Sequence, residues 1–489
     1  MALVRYAIPA SAPPLRSILA VLILAAASQS WASASVQGQA HEYPSPGGTT
    51  ERCVVLARMS GGVYDDADTA EEESLCGIDF HDGSHALCPK VFSTSPGTLV
   101  YDLRGGAFAG KAQEFEQTHC AEGGVRKGGA QGAPVAWKMS VNTRVTSATF
   151  ANASLVYYHF ARYFDATAHV PAAVMRTMDR GAHSRRVSAR GLALSAGRSA
   201  LKMNHAAWQA LHDAEGNPAG YTPTEELFTP DGQVYGVMLR PVGTRYSEEM
   251  NGTRASGWGD GQNRDFQETA PFHALRSEQP LLAAIAEGRR EALKDPRLAK
   301  ATGADATPQQ MAIWMSDLID ITLLDFIFSQ QDRIGNIDYV PYWHWVQDGR
   351  LMRRPASGHT PPADIAAHAP LLLKRTELGD NDAGVRLSYA NYTRRTQMLE
   401  KLRHYRAATY ERLLRLHRDF QSGGALHDYV RGTFGLSEKE FRQVVANTAA
   451  AAAMLHAGCT AGKLRFDVEA EEFLLTGDVK PRSPDCGSL

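Results

Sequence analysis

The chain lacks an excess of charge of either sign. Its 489 residues carry 51 lysines and arginines against 53 aspartates and glutamates. A protein dedicated to nucleic acid shows a strong basic excess, so we expect no nucleic-acid partner. Beyond residues 1–34 the chain also lacks a long apolar run, so we expect no stable membrane span. Its length suits two lobes or two domains with a substantial core.

The first 34 residues have the pattern of a secretory signal. Arg5 and Arg16 precede an apolar run at 18–27 that is too short to cross a bilayer comfortably. The small residues at 32–34 then fit a signal-peptidase site. We predict a cleaved signal peptide over 1–34, with an uncleaved signal anchor as the alternative. The mature chain is expected to be secreted, periplasmic or in a secretory-pathway lumen.

The chain lacks an unpaired cysteine by number, since it has six cysteines. An even number in an exported chain predicts disulfides, with fifteen possible pairings. The six lie at Cys53, Cys76, Cys88, Cys120, Cys459 and Cys486. The segment 76–88 also contains Asp79, His81 and His85, which offer a metal site as the alternative. Zinc sites usually show tighter ligand pairs, which favours disulfides.

One strand-like run and two acidic loops follow one another along the chain. Lys138 lies in the strand-like run 134–140, and Asp332 opens a polar loop, 332–336, after a long apolar helix. A second acidic turn follows at 378–384. A kinase-like phosphoryl-transfer site needs a cation for the nucleotide phosphates, a carboxylate for the attacking hydroxyl and ligands for a divalent metal. The order predicts such a site, with ATP and Mg²⁺ or Mn²⁺ as cofactors.

Lys138 and Asp332 are the predicted catalytic residues. The apolar neighbours of Lys138 favour a half-buried strand, and a buried lysine needs an anionic partner such as a nucleotide phosphate. The alternative is a solvent-facing lysine. A carboxylate at Asp332 can accept the proton of an incoming hydroxyl. The alternative is a structural ion pair between Asp332 and Arg333.

Metal ligands are predicted in both loops. Asn336 offers a side-chain oxygen of the kind that Mg²⁺ and Mn²⁺ favour, with Asp338 as the alternative ligand. Asp380 follows a hydrophobic residue and a small one and is the preferred ligand of the second turn. Asp382 is the competing register. An ordinary Asn/Asp/Gly turn without a ligand is the structural alternative.

Two glycine clusters are candidate phosphate-covering hairpins. One is the turn 104–110, which contains Gly105 and Gly106, and the other is 123–129. Glycine lets backbone amides approach phosphate closely. Ordinary turns are the alternative for both. Further along, the buried strand-like run 234–240 is predicted to contact the nucleotide through Met238 and Leu239.

The predicted elements suit an α+β fold. The Lys138 strand is followed by a helix over 151–164, a strand over 170–175 and a strand over 234–240 that ends in a hinge at 241–243. The second half is helical. Thr307 and Pro308 open one helix, a single helix is expected over 394–420, and Ser437 with Glu440 forms a capping box that opens the last helix.

Three segments carry a resemblance to known kinases. The segment 324–333 resembles the catalytic-loop entry of secretory-pathway kinases of the Golgi casein kinase and four-jointed type, and that of type II phosphatidylinositol 4-kinases. Asp380-Asn381 is similar to the Asp-Asn-Gly metal-binding turn of those families. The segment 154–164 resembles their small-lobe helix. The resemblance implies a protein, sugar or lipid hydroxyl as acceptor.

The resemblance also implies a bilobal protein-kinase-like fold. We expect a disulfide-bearing N-terminal extension at 35–95, a small β-rich lobe at 96–243 and a helical lobe at 244–460. A C-terminal tail at 461–489 would be joined to the body through Cys459 and Cys486.

The chain departs from those families at the small-lobe helix. They usually place there a glutamate that pairs with the strand lysine, whereas the matching position is Ser154 and no acidic residue lies in 141–164. Glu114 or Glu116 is the substitute that the sequence offers. The loop asparagine also falls one residue earlier than in ordinary kinases. The alternatives are therefore a pseudokinase-type binding module without catalysis, or an AMP transferase on the same fold.

Three Asn-X-Ser/Thr sequences begin at Asn152, Asn251 and Asn391. They are potential glycosylation sites only if the chain passes through a eukaryotic lumen. A bacterial periplasm holds little ATP, so that location would point to delivery into a host or to an unusual donor.

Overall fold

The computed structural model describes residues 38–120, 129–141, 149–221, 226–303, 306–487 and 489. The predicted signal peptide and most of the glycine cluster at 123–129 lie outside these residues. The described part is α+β, with a β-rich N-terminal region and a helical C-terminal region. In that part of the chain, no helix has the length and apolar character needed to cross a bilayer.

A seven-stranded antiparallel sheet forms the β-rich region. Its strands are β1 Gly38–Pro44, β2 Thr50–Leu56, β3 His85–Pro89, β4 Gly97–Asp102, β5 Gln131–Met139, β6 Ala173–Met178 and β7 Val234–Leu239. They lie side by side in the order β1-β2-β6-β7-β5-β4-β3. The segment predicted as an N-terminal extension therefore supplies strands at both edges of the sheet.

Helices cover both faces of this sheet. Trp137 and Met139 of β5 pack with Trp208 on one face, whereas Val237 and Leu239 of β7 belong to the large core on the other. Because side chains alternate along a strand, Lys138 lies on the second face. The helices of this region are α1 Asp66–Cys76, α2 Ala112–Thr118, α3 Asn152–Phe164, α4 Arg180–His183, α5 Ala189–Ser195 and α6 Lys202–Gly216.

The helical region surrounds one long buried helix, α12. Its helices are α7 Glu248–Asn251, α8 Asp260–Phe266, α9 Ala270–Arg276, α10 Leu281–Ala292, α11 Pro296–Thr302, α12 Pro308–Phe328, α13 Tyr392–Arg395, α14 Ala407–Ser422, α15 Ala425–Thr433, α16 Glu438–Thr460 and α17 Ala470–Thr476. The predicted Thr307 cap of α12 and the Ser437–Glu440 capping box of α16 are both present. The single helix predicted over 394–420 is wrong. The chain turns at Gln397, whose φ is 58°, and α14 begins only at Ala407.

A small second sheet follows α12. It consists of β8 Thr244–Arg245, β9 Asp338–Gln347, β10 Arg350–Pro355 and β11 Leu371–Glu377, with β9 in contact with the other three. Asp348 and Gly349, with φ of 51° and 72°, form the two-residue turn of the β9–β10 hairpin. Asp338 is paired with Glu377 in the β9–β11 register. The loop before β9 and the turn after β11 therefore lie at the same end of the sheet.

The cysteines form disulfides, as predicted. The pairs are Cys53–Cys76, Cys88–Cys120 and Cys459–Cys486. The alternative metal site is not formed, since His81 Nε2 lies 2.7 Å from a Glu51 oxygen. Among the described residues, no group of three or more His, Cys, Asp or Glu side chains is placed to hold a metal. The disulfides are compatible with a secreted or lumenal protein.

The three potential glycosylation sites lie inside the structure. Asn152 and Asn251 are buried and Asn391 is half-buried. Each side-chain amide donates to a backbone carbonyl, at 3.0, 2.9 and 2.7 Å respectively. These amides hold the fold together and are not accessible acceptors in the folded chain.

Candidate functional site

The structure brings Lys138 together with the acidic turn 378–384. Lys138 Nζ lies 2.7 Å from Asp380 Oδ1 and 3.5 Å from Asp382 Oδ2, and it donates to the Gly379 carbonyl at 3.2 Å. The lysine side chain is only 11% exposed, which excludes a solvent-facing residue. Asp380 and Asp382 are the two metal ligands that the sequence offers in this turn, and both carboxylates lie beside the Lys138 ammonium group.

The three charges shift one another's pKa. Burial lowers the pKa of Lys138, but Asp380 and Asp382 outweigh it and hold the pKa well above its ordinary value. Lys138 in turn holds the pKa of Asp380 well below its usual range. Burial raises the pKa of Asp382, and the neighbouring Asp380 adds to the effect. Lys138 alone does not balance the formal charges of Asp380 and Asp382, so these three residues attract a further cation.

Asp332 lies at the mouth of the same site. Its side chain is solvent-accessible, yet the surrounding protein desolvates it enough to raise its pKa to about 6, and the charges of Asp380 and Asp382 add to this rise. The Trp258 indole N–H donates to the carboxylate and opposes the shift. A carboxylate with a pKa close to neutrality is well suited to exchange a proton with a hydroxyl group.

Arg333 holds the two loops of the site in place. It forms no ion pair with Asp332. Its guanidinium holds Asp325 of α12 through two bonds, Nε–Oδ2 at 2.9 Å and Nη2–Oδ1 at 3.0 Å. It also donates to the Asn381 side chain at 2.8 Å. Both Arg333 and Asp325 are 3% exposed. Arg333 thus fixes the loop 332–336 and the acidic turn to the end of α12.

Backbone hydrogen bonds join the two loops directly. Gln331 N donates to the Ala383 carbonyl at 3.0 Å, and Phe150 N donates to the Asp382 carbonyl at 2.7 Å. The second bond ties the acidic turn to the residues just before α3. The positions of the loop 332–336 and the acidic turn relative to each other are therefore set in part by main-chain contacts.

Asn336 and Asp338 lie beside the cluster but are engaged by an arginine. The Asn336 side-chain oxygen accepts a hydrogen bond from Arg245, and its amide donates to the Asp332 carbonyl at 2.7 Å. Arg245 Nε lies 3.0 Å from an Asp338 oxygen. Metal ligation by either residue requires Arg245 to move.

The predicted glycine hairpin lies at the other end of β5. Gly97 of β4 is paired with Lys138, and Asp102 with Gln131, so Gly105 and Gly106 follow the end of β4 that lies away from Lys138. The distance along β5 from Gln131 to Lys138 is roughly 23 Å at the usual rise per residue. The structure does not bring Gly105 and Gly106 to the cluster.

The β3–β4 connection at 90–96, and not the predicted glycine turn, lies at the Lys138 end of the sheet. Lys90 N donates to the Gly97 carbonyl at 2.8 Å, which puts Lys90 at the Lys138 end of the sheet. The Lys90 side chain is exposed, but desolvation by the surrounding protein and the neighbouring Lys138 lower its pKa, while Asp380 and Asp382 raise it. Lys90 is a second cation at the site that sequence reasoning missed.

The predicted nucleotide contacts from β7 fall on opposite faces. Leu239 is paired with Ala136 and lies on the Lys138 face, whereas Met238 is paired with Trp137 and packs in the core beyond the sheet. Only the Leu239 side chain can contribute to a surface beside Lys138.

Neither Glu114 nor Glu116 substitutes for the missing helix carboxylate. Glu116 pairs with Arg186 and Arg190, and Glu114 lies 3.9 Å from Lys111. The Ser154 hydroxyl is buried in α3 without a hydrogen-bond partner among the described residues. The acidic turn therefore provides the charge that neutralises Lys138.

A scan against protein-family models finds no match for this chain, and a search of curated proteins finds no significant relative. The fold and the cluster define an α+β protein with a buried lysine–carboxylate site.

Proposed function

We propose that the protein is an exported ATP-dependent phosphotransferase of bilobal kinase-like fold that phosphorylates a hydroxyl acceptor. The observation that supports the proposal is the cluster of Lys138, Asp380 and Asp382 with Asp332 at its edge. Lys138 and Asp380 are 242 positions apart in the chain, and their contact at 2.7 Å joins two of the three components that phosphoryl transfer requires, the phosphate-binding cation and a metal ligand.

Each residue has a role in this proposal. Lys138, assisted by Lys90, binds nucleotide phosphates, because two ammonium groups near one end of the sheet complement a polyanion. Asp332 orients the acceptor hydroxyl and takes its proton. Asp380 and Asp382 are the proposed ligands of Mg²⁺ or Mn²⁺.

The two carboxylates fit a divalent cation. Their oxygens already converge on a single cationic group, the Lys138 ammonium, at 2.7 and 3.5 Å. Mg²⁺ is usually held by one or two protein carboxylates together with substrate phosphates and water. When bound, the metal would neutralise charge on the phosphates. Asp380, with a side chain 36% exposed, is the more accessible ligand of the two.

The test of this proposal uses the full chain and two forms of labelled ATP. Transfer of label from γ-labelled ATP to a protein, sugar or inositol-lipid acceptor in the presence of Mg²⁺ or Mn²⁺ would support phosphotransfer. Transfer from α-labelled ATP alone would show AMP transfer instead. If neither label is transferred to any acceptor and Asp332→Asn behaves like the wild type, the proposal is wrong.

A binding module without catalysis is the second candidate function. It is favoured by one observation: Lys138 is neutralised by the acidic turn, and no carboxylate of α3 contacts it. Thermal unfolding with ATP and Mn²⁺, measured beside label transfer, distinguishes the binding module from the phosphotransferase. A rise in Tm without label transfer favours the module, and an unmoved Tm contradicts nucleotide binding altogether.

A further inference from the structure

A cavity of about 660 Å³ lies away from the candidate site. It is lined by the start of α1, the end of α3, the segment 165–172, the strands β9 to β11 and the start of α17. Lys138, Asp332 and Asp380 do not line it. Its volume is in the range of small-molecule binding sites, which is about 300–1,000 Å³.

Most arginines that line this cavity have a carboxylate partner. The pairs are Arg162–Asp68 at 2.6 Å, Arg240–Glu71 at 3.0 Å, Arg406–Asp320 at 3.2 Å and Arg482–Glu469 at 3.9 Å. Arg353 and Arg375 differ, because neither forms an ion pair with any residue in the described ranges. These two arginines therefore keep their guanidinium groups available to a ligand. Glu377, which lies two residues from Arg375 on the same face of β11, also lines the cavity and lies 2.6 Å from His169 Nδ1.

Arg375 is the more unusual of the two because it is buried. The residue is 8% exposed, and its hydrogen bond to protein runs from Nη2 to the Thr167 carbonyl at 3.0 Å. A guanidinium has five N–H donors in a planar fork that matches a carboxylate or a phosphate. One of these donors is bonded to Thr167, and an anion in the cavity would engage others in charge-assisted hydrogen bonds.

The strand register places both arginines on the same wall. Arg375 of β11 is paired with Val340 and Arg353 of β10 with His344, and these two positions of β9 share one face with Tyr342. Burial, with contributions from Arg375 and Arg353, lowers the pKa of His344 to about 4. Both guanidinium groups are thus near the same ring.

We propose that Arg375 and Arg353 form an anion-binding subsite that holds the phosphate or carboxylate group of a small molecule in this cavity. The inference is independent of the proposed phosphotransferase activity, since it uses none of the residues of that site.

Calorimetric titration of the full chain with inorganic phosphate and with succinate, at constant ionic strength, tests this subsite. Lys138→Met is used as the background in a parallel titration, so that phosphate bound near Lys138 and Lys90 is not counted. Arg375→Met and Arg353→Met should each weaken binding at least tenfold. The control Arg350→Met, on the other face of β10, should bind like the wild type.

The outcomes separate the ligand sources and the alternatives. Binding of phosphate but not succinate assigns a phosphorylated ligand, and the reverse assigns a carboxylate. Arg353 is exposed, so its variant keeps the test valid even if Arg375→Met unfolds. The proposal is overturned if neither anion binds the Lys138→Met protein at millimolar concentration, or if the Arg353 variant binds as tightly as the Arg350 control.

Discussion

Lys138 of β5 and Asp380 of the turn after β11 form an ion pair with an Nζ–Oδ1 distance of 2.7 Å. The pair joins the β-rich region to the small sheet of the helical region. Asp382 shares the same ammonium group, so one lysine balances two carboxylates. The consequences of removing each partner differ, which makes the cluster accessible to experiment.

Lys138→Met should destabilise the protein by about 1–3 kcal/mol at pH 7, because it leaves two neighbouring carboxylates without their hydrogen-bonded counter-charge. Lys138 depresses the pKa of Asp380, so its stabilising effect is present above the unfolded pKa of the carboxyl and is lost as the pH falls. The difference from the wild type in urea unfolding should therefore shrink below about pH 4. Lys90→Met, which removes a nearby charge without an ion pair, is the control. If Lys138→Met lowers the free energy of unfolding equally at pH 7 and below pH 4, this account is wrong.

Asp380→Asn should abolish metal-dependent nucleotide binding, since it removes an anionic ligand from a hard cation. Asp382→Asn should have the milder effect, because this carboxylate is more buried and its raised pKa makes it a poorer anion. Binding of a fluorescent ATP analogue with and without Mn²⁺ measures both. Equal loss in the two variants would mean that both carboxylates contribute equally to metal binding, and a greater loss for Asp382→Asn would make Asp382 the main ligand.

Asp332→Asn should leave nucleotide binding intact and lower turnover by about 10²–10⁴-fold, the usual size of a lost general base. The side chain is accessible at the mouth of the site, and no described residue depends on it for an ion pair. The unfolding temperature should therefore stay at the wild-type value. Label transfer and thermal unfolding are measured on the same preparation. A variant that unfolds early, or that transfers label at the wild-type rate, would show that Asp332 has another role.

The ionisation of Asp332 should be visible in the fluorescence of Trp258. The indole donates to the carboxylate, and the pKa of Asp332 is raised to about 6, so emission should change with a midpoint near pH 6. Asp380→Asn should lower the midpoint, because it removes a negative charge that raises this pKa. Asp332→Asn is the control and should abolish the transition. A midpoint near pH 4 in the wild type would mean that the site does not perturb Asp332.

Arg333→Met should destabilise the protein by about 3–5 kcal/mol, because Asp325 would remain buried without its partner. Replacing both partners, by Asp325→Leu with Arg333→Met, should recover part of that loss, although the Tyr157 hydroxyl then loses its acceptor. Urea unfolding of the single and double variants measures the effect. If the double variant is as unstable as the sum of the two single ones, the pair does not act as a unit.

The sequence was most informative where a polar residue interrupts an apolar pattern. Lys138 in an apolar strand and the acidic residues in short polar loops could be selected from local patterns, and the structure places them together. The register of the strands could not be predicted from local patterns, because the composition of a strand does not show which residues of the neighbouring strand it pairs with. For this reason the sequence indicates Gly105 and Gly106 and gives no indication of Lys90, which lies in a Ser/Pro-containing turn typical of loops.

Two further features were beyond sequence reasoning. Strands β1 to β3 were missed because their segment is rich in turn residues, and their pairing partners β4 and β6 lie further along the chain. Trp258 gave no signal, since an exposed tryptophan between two glycines resembles any surface loop. A search for aromatic residues in glycine-rich loops that precede α12 is a pattern that would have found it.

The disulfides have a consequence for how the chain acquires its native bonds. The first cysteine is bonded to the second, the third to the fourth and the fifth to the sixth, with separations of 23, 32 and 27 residues. A polypeptide that emerges N-terminus first into an oxidising compartment would thus expose each correct pair before the following one arrives. Oxidation in order of synthesis gives native connectivity without reshuffling, so the protein should mature without help from a disulfide isomerase.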